Sequence, residues 1–265
     1  MSENPVFFSE RPSGHPQGLC IHGIVFSAPA RWLVLDIETG DAPDDAIATA
    51  VENWKPPANI KDTTKIEARR AEAAQKRAKR AALLDASPIL CVAVKSNHWA
   101  GVFSGIGGAE IKGCNVLASN SEADMLKALR VFLDRDTAPE TVVVGHNIRA
   151  FDLPKLRNAY LRHRLKLPAI LTPRILDGEQ VAAVVDTALL FKAFSMEHRD
   201  DFCQSLDVVA TSLGIPRPKG IISGADVPRL HKAGEHAAIL TYCAVDTECT
   251  ARAFLLMTGQ AEDLK

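Results

Sequence analysis

Three short patterns of carboxylates carry the chemistry that this chain could do. Asp36 and Glu38 stand two residues apart at the end of an apolar run. Alternation along a strand puts both side chains on one face. Two ionised carboxylates so close repel one another unless a cation lies between them, and oxygen donors suit Mg²⁺ or Mn²⁺. Asp152 closes the stretch Gly145-His146-Asn147-Ile148-Arg149-Ala150-Phe151-Asp152, after one strand-like run and before a helical one. That is where α/β sheets place their sites, although Asp before Leu153-Pro154 also reads as a helix N-cap. Tyr242 and Asp246 are four apart in a helical stretch and so share a face. An Asp buried inside a helix is costly without a partner; its plainer reading is a solvent-facing Asp beside a half-buried Tyr.

The elements that must position these residues alternate between the two periods. Strands are expected at 19–26, 31–37, 89–95, 100–103, 141–144 and 181–185, and helices at 60–84, 121–133, 153–165, 203–213 and 234–257. Asp41, Pro43, Asp44 and Asp45 read as a loop after the first carboxylate pair. The pattern is α/β. Residues 1–18, broken by Pro5, Pro12 and Pro16, read as an irregular lead-in, and 19–265 as one domain.

In order along the chain, D-x-E, N-x-x-x-F-D and Y-x-x-x-D resemble the DEDD superfamily of 3′–5′ exonucleases, in its tyrosine-containing branch. Ser205-Leu206-Asp207 and Ile222-Ser223-Gly224-Ala225-Asp226-Val227 resemble the segments before the third motif in the proofreading domains of family B DNA polymerases. The Lys/Ala-rich stretch 60–84 is similar to insertions in stand-alone, phage- or plasmid-type relatives. The resemblance spans roughly residues 30–258. It implies a ribonuclease H-like fold with a mixed, mostly five-stranded sheet flanked by helices. It also implies that Asp36, Glu38, Asp152 and Asp246 hold two divalent ions, with Asp36 touching both, and that Tyr242 orients the attacking water. The histidine branch would need His at position 241, which is Thr241.

Two such ions, about 3.5–4 Å apart, activate a water and stabilise the leaving 3′ oxygen. The implied activity is removal of nucleoside monophosphates from the 3′ end of single-stranded DNA. An exoribonuclease of ribonuclease D type is the alternative within enzymes. A non-catalytic module that grips single strands or docks on a replisome is the alternative outside them. A tyrosine with an ordinary pKa near about 10 is a poor base at neutral pH, so Tyr242 is read as a positioning group.

The formal net charge is −1, so any attraction for nucleic acid must be local. Residues 61–80 hold eight basic side chains, among them Lys76, Arg77, Lys79 and Arg80. A second basic cluster runs through Arg149, Lys155, Arg157, Arg162, Arg164, Lys166 and Arg174. Thr39, Asn147, Phe151 and Lys219 complete the expected strand contacts, with Phe151 able to stack on a terminal base or simply to fill the core. His146 is read as structural.

The six cysteines form no C-x-x-C pair, which argues against a zinc site. Neither a signal-peptide pattern nor a membrane-length apolar run is apparent, so a cytoplasmic protein with no membrane partner is expected. A polymerase or another replication or repair protein is the expected partner if the chain proofreads.

Overall fold

The structure is a computed structural model that describes residues 31–172, 184–197, 203–216 and 222–260, together with the strand segments 18–21, 24–27, 175–176 and 179–180. In chain order the strands are β1 (Gly18–Ile21), β2 (Ile24–Ser27), β3 (Trp32–Thr39), β4 (Ile89–Ser96), β5 (Ala100–Ser104), β6 (Asn115–Ala118), β7 (Val142–Gly145), β8 (Ile175–Leu176), β9 (Glu179–Gln180) and β10 (Val184–Asp186). The helices are α1 (Asp44–Glu52), α2 (Thr63–Lys79), α3 (Glu122–Asp136), α4 (Asp152–Arg162), α5 (Thr187–Phe191), α6 (Leu206–Ser212), α7 (Val227–Lys232) and α8 (His236–Met257).

Six strands form one sheet in the order β10-β7-β3-β4-β5-β6. The meander β3-β4-β5 is antiparallel, and parallel partners extend it on both sides. This is the mixed α/β architecture expected of a ribonuclease H-like exonuclease, with one strand more than the five anticipated. The strand not foreseen is β6, a four-residue edge whose residues are mostly exposed. Half-exposed edge strands lack the apolar run that announces central ones. The expected strand 19–26 is instead the antiparallel pair β1-β2. Of the expected strand 181–185, residues 181–183 lie outside the described ones.

Sequence alternation explains how β3 serves two faces. Leu33, Leu35 and Ile37 enter a core with Met125, Leu126, Leu129 and Leu133 of α3 and Leu153, Leu156 and Tyr160 of α4. Trp32 and Val34 point the other way, against Ala251, Phe254 and Leu255 of α8. Asp36 and Glu38 share the parity of Trp32 and Val34, so the same alternation turns them toward the α8 side. Glu38 faces Cys91 and Thr39 faces Ile89, which leaves Leu90 as an extra residue in β4. This bulge breaks the ladder beside the carboxylate pair, a frequent place for such irregularities.

Residues 41–45 are not all loop. Pro43 occupies the N-cap position of α1, and Asp44 and Asp45 fall in its first turn. Proline and acidic residues favour helix starts as much as loops, because they suit the unbonded N–H groups and the positive end of the helix dipole. Helix α2 begins where Asp62 accepts from the backbone N–H groups of Thr64 and Lys65. Neither α1 nor α2 buries any residue, and they pack on one another as an arm beside the sheet. No helix among the described residues is long and apolar enough to cross a membrane.

Candidate active site

Strand β3 delivers Asp36 and Glu38, α4 delivers Asp152 in its first turn, and α8 delivers Asp246 midway along its length. Glu38, Asp152 and Asp246 are buried, and Asp36 is half-buried between them. Asp152 does not cap α4 with its side chain. The cap position is Phe151, and Asp152 Oδ1 instead accepts from the backbone N–H of Ile37 at 3.1 Å. One hydrogen bond thus fastens the second motif between the two acids of the first.

Burial is the main cause of perturbed ionisation here. It raises the Asp36 carboxyl well above the ordinary range, and the charges of Asp152, Glu38 and Asp246 raise it further. Glu38 is raised well above its usual value by burial, then by Asp246 and Asp152. Asp152 is pushed up to about 7 by burial, opposed by backbone N–H donors including that of Ile37, and raised again by Asp186. Four acids from three elements therefore feel one another in a place that water barely reaches. Such a group is held ionised at neutral pH only by a compensating cation.

The donor set fits a divalent ion. Oxygens of Asp36 and Glu38 and the Cys243 sulfur lie within 4.8 Å of one another. The Cys243 thiol donates to Asp36 Oδ2 at 3.4 Å and to the Asp36 carbonyl at 3.6 Å. Burial pushes this thiol well above its ordinary pKa, so it remains a proton donor to Asp36 in the ion-free protein. In the sequence nothing sets Cys243 apart from the other cysteines, and its spacing on α8 carries no signal of this contact.

The loop before Asp152 is built with few alternatives. A side chain on Gly145 would meet Ile148 at 2.6 Å, so glycine is required there. Asn147 adopts a left-handed φ of 56°, which Asn tolerates better than most residues. Its N–H and that of Arg149 both donate to Asp186, at 2.9 and 3.2 Å. Asp186 also accepts from Ala188 N–H and so caps α5. Sequence reasoning missed Asp186, although a carboxylate that ends a strand and precedes Thr187 was a legible cap signal. His146 lies 3.0 Å from Thr187 Oγ1 and 2.7 Å from the Gln204 carbonyl, where its Nε2 must donate because a carbonyl only accepts. That is a structural role, as expected.

Tyr242 is half-buried against the cluster of Leu90, Val227, Leu230 and Ile239, one helical turn before Asp246. Phe151 is half-buried at the edge of the α3–α4 core. Arg149 is exposed, and its guanidinium donates to the Val184 carbonyl. Lys76 and Arg80 are exposed and Arg77 half-buried on the arm. Lys219 lies outside the described residues.

Two expected strand contacts need correction. Lys155 is buried and donates to the Leu84 carbonyl and Ser87 Oγ, and burial draws its pKa down to about 8. Its ammonium joins α4 to the end of the arm instead of meeting phosphate. The Thr39 hydroxyl is likewise buried and donates to the Ala82 carbonyl at 3.0 Å. Two further members of the second basic cluster are engaged within the protein. Arg157 donates to Leu171 O, and Arg162 to Asp85 O and Glu122. Helical spacing brings these cations to surfaces that pack, which a run of basic letters does not reveal.

The family model described as a predicted 3′–5′ exonuclease related to the exonuclease domain of PolB matches residues 107–264, more than half of the chain. The chain belongs to this family. The span matched to the exonuclease family includes Asp152, Asp186, Tyr242 and Asp246 but not β3, so Asp36 and Glu38 join the site through the fold. A search of curated proteins finds no match.

Proposed function

We propose that this exonuclease is of the DEDD type, in its tyrosine branch, and removes nucleoside monophosphates from the 3′ end of single-stranded DNA. The observation that carries the reading is the convergence of Asp36, Glu38, Asp152 and Asp246, each from its own place in the chain, with burial and mutual repulsion raising the acids of β3. These four carboxylates would hold two divalent ions, Mg²⁺ or Mn²⁺. When bound, such ions supply an activated water and charge stabilisation at the leaving 3′ oxygen.

The chain's own residues orient and shield. Asp152, fixed by Ile37 N–H, holds α4 against the end of β3. Tyr242 presents its phenol from the turn before Asp246 and positions the attacking water without taking its proton. Asn147, Arg149 and Phe151 border Asp152 and meet the terminal nucleotide, and Lys76, Arg77 and Arg80 supply positive charge from the arm. The preference for DNA over RNA rests on the resemblance to polymerase proofreading domains. The reading takes residues 19–265 as one exonuclease domain, with the arm as an insertion.

The test is a 5′-labelled single strand incubated with the protein, with and without Mg²⁺, beside an RNA strand of the same sequence. A ladder of products shortened from the 3′ end, dependent on Mg²⁺ and stronger for DNA, is expected. Undiminished cleavage in excess chelator would sink the two-ion reading, and a stronger RNA ladder would favour the ribonuclease. Metal-dependent strand binding without any product would favour the non-catalytic module.

A further inference from the structure

The exonuclease reading leaves the route of the strand undefined, and the tertiary structure supplies a candidate route. A cleft of about 590 Å³ opens beside the end of β3, between the last turn of α2 on one side and the start of α7 on the other. Lys79 and Arg80 line one wall, and Arg229 and Lys232 the other, with Asp41 as the sole carboxylate among the lining residues. Lys232 Nζ neutralises Asp41 at 2.7 Å. Arg229 is two-thirds exposed and only loosely paired with Asp226, at 3.8 Å, so its guanidinium can turn to a new acceptor. The α2 wall is tied to the end of β3. Thr39 is bonded to Ala82, Gly40 N–H donates to Pro88 O, and Ala42 N–H donates to Ala81 O. An added Cβ on Gly224 would meet nothing within 4 Å, so the cleft is open above that backbone.

We propose that this cleft carries the phosphodiester backbone of the single strand whose 3′ end lies at the carboxylates, with Lys79, Arg80 and Arg229 contacting successive phosphates. The proposal rests on the exonuclease reading and adds to it the path of the strand. Cations on two facing walls suit a chain of phosphates better than a single small anion, since a groove that tracks a backbone needs repeated positive charge. Asp41, which lines the cleft, follows Glu38 by three residues, so the cleft adjoins the strand end that carries the first two carboxylates. The α2 wall precedes the span matched to the exonuclease family and the α7 wall falls inside it. The arm thereby acquires a function that its exposure alone does not suggest.

The test measures binding of the full-length protein to a labelled strand of about twelve thymidines, by fluorescence anisotropy in chelator so that nothing is cleaved. The triple variant Lys79→Ala/Arg80→Ala/Arg229→Ala is expected to bind at least about tenfold more weakly at low salt. Its log affinity should fall less steeply with log salt, by about 0.7 for each phosphate that is no longer neutralised. Lys127→Ala/Arg130→Ala/Arg135→Ala on α3 removes the same charge from another surface and should leave both quantities unchanged. A uridine strand should show the same weakening, because the cations meet phosphates. Unchanged affinity and slope in the first variant overturn the proposal, as does an equal weakening in the α3 variant or a weakening confined to one of the two strands. The exonuclease reading is checked separately on the unsubstituted protein, by Mg²⁺-dependent hydrolysis of a nitrophenyl ester of thymidine 5′-monophosphate, which is too short to reach the cleft. Absence of that hydrolysis would count against the reading and not against the cleft.

Discussion

The end of β3 and the α1–α2 arm are both dense in charge, acidic at the strand end and predominantly basic along α2, and they behave in opposite ways. At the strand end four carboxylates converge largely out of water; burial and mutual repulsion raise the acids of β3, and burial with the charge of Asp186 raises Asp152. On the arm, eight basic side chains lie between residues 61 and 80, on and beside a helix that buries no residue, with Asp62, Glu67 and Glu72 among them. Water and salt screen charges of that kind, so their repulsion stores little free energy. Charge density therefore has no fixed meaning. Buried, it demands protons or a counter-ion; exposed, it costs little by itself and stays available to a polyanion.

The largest expected effect breaks the acidic side of this comparison. Asp36→Ala should reduce hydrolysis to background while the protein still folds, read by the labelled-strand assay and circular dichroism. Retained turnover would show that Asp36 is not a ligand. Tyr242→Phe comes next. It keeps the packing against α7 and removes only the hydroxyl, so a slowing of roughly tenfold to a hundredfold is expected, with metal affinity unchanged. A variant as inactive as Asp246→Ala would show that the phenol does more than position water, and full activity would make Tyr242 plain core.

A smaller effect is expected on stability. Asp152 titrates near about 7 in the fold against about 4 in an unfolded chain. Its contribution is fully present below the unfolded value and is lost as pH rises through the folded one. The metal-free protein should therefore melt at a lower temperature at pH 8 than at pH 5, by at least about 3 °C. Saturating Mg²⁺ or the substitution Asp152→Asn should narrow the gap, and equal melting temperatures would show that the Asp152 carboxyl is not raised in the fold. Asparagine is the informative replacement because it can still accept from Ile37. Alanine would leave that buried N–H unpaired, at a cost of about 1–3 kcal/mol, which offsets the relief of repulsion expected from the carboxylate pattern alone.

The smallest effect belongs to the arm. Replacing Lys76, Arg77, Lys79 and Arg80 by alanine should change folding stability by no more than about 0.5 kcal/mol per site in urea melts. A large decrease would mean that the arm is packed, and that the two regions differ less than their burial implies.

Much of the site was legible because its signals are local. The alternation of Trp32 to Glu38 assigns faces to a strand, and the four-residue spacing of Tyr242 and Asp246 assigns a shared face to a helix. The order of the three motifs then pointed to the fold without any long-range information. Lys155 and Thr39 were misread for a corresponding reason. A lysine beside a proposed site and a threonine after Glu38 look available in one dimension, and only the packing of residues 82–87 against β3 and α4 engages them.

The sequence by itself determined which residues can ionise, which faces they share within one element, and where the main strands and helices start, because these follow from steps of one to four residues. Only the tertiary structure decided which faces meet. It brought Ile37 N–H to Asp152, Cys243 to Asp36, Asp186 beneath the Asn147 loop, and Arg229 opposite Arg80. Each of these joins residues distant in the chain, through contacts that exist only once the apolar faces of β3, α4 and α8 have been buried against one another. Burial then fixed the chemistry, since the same carboxylates in water would repel weakly, and at the end of β3 they must take up protons or a cation.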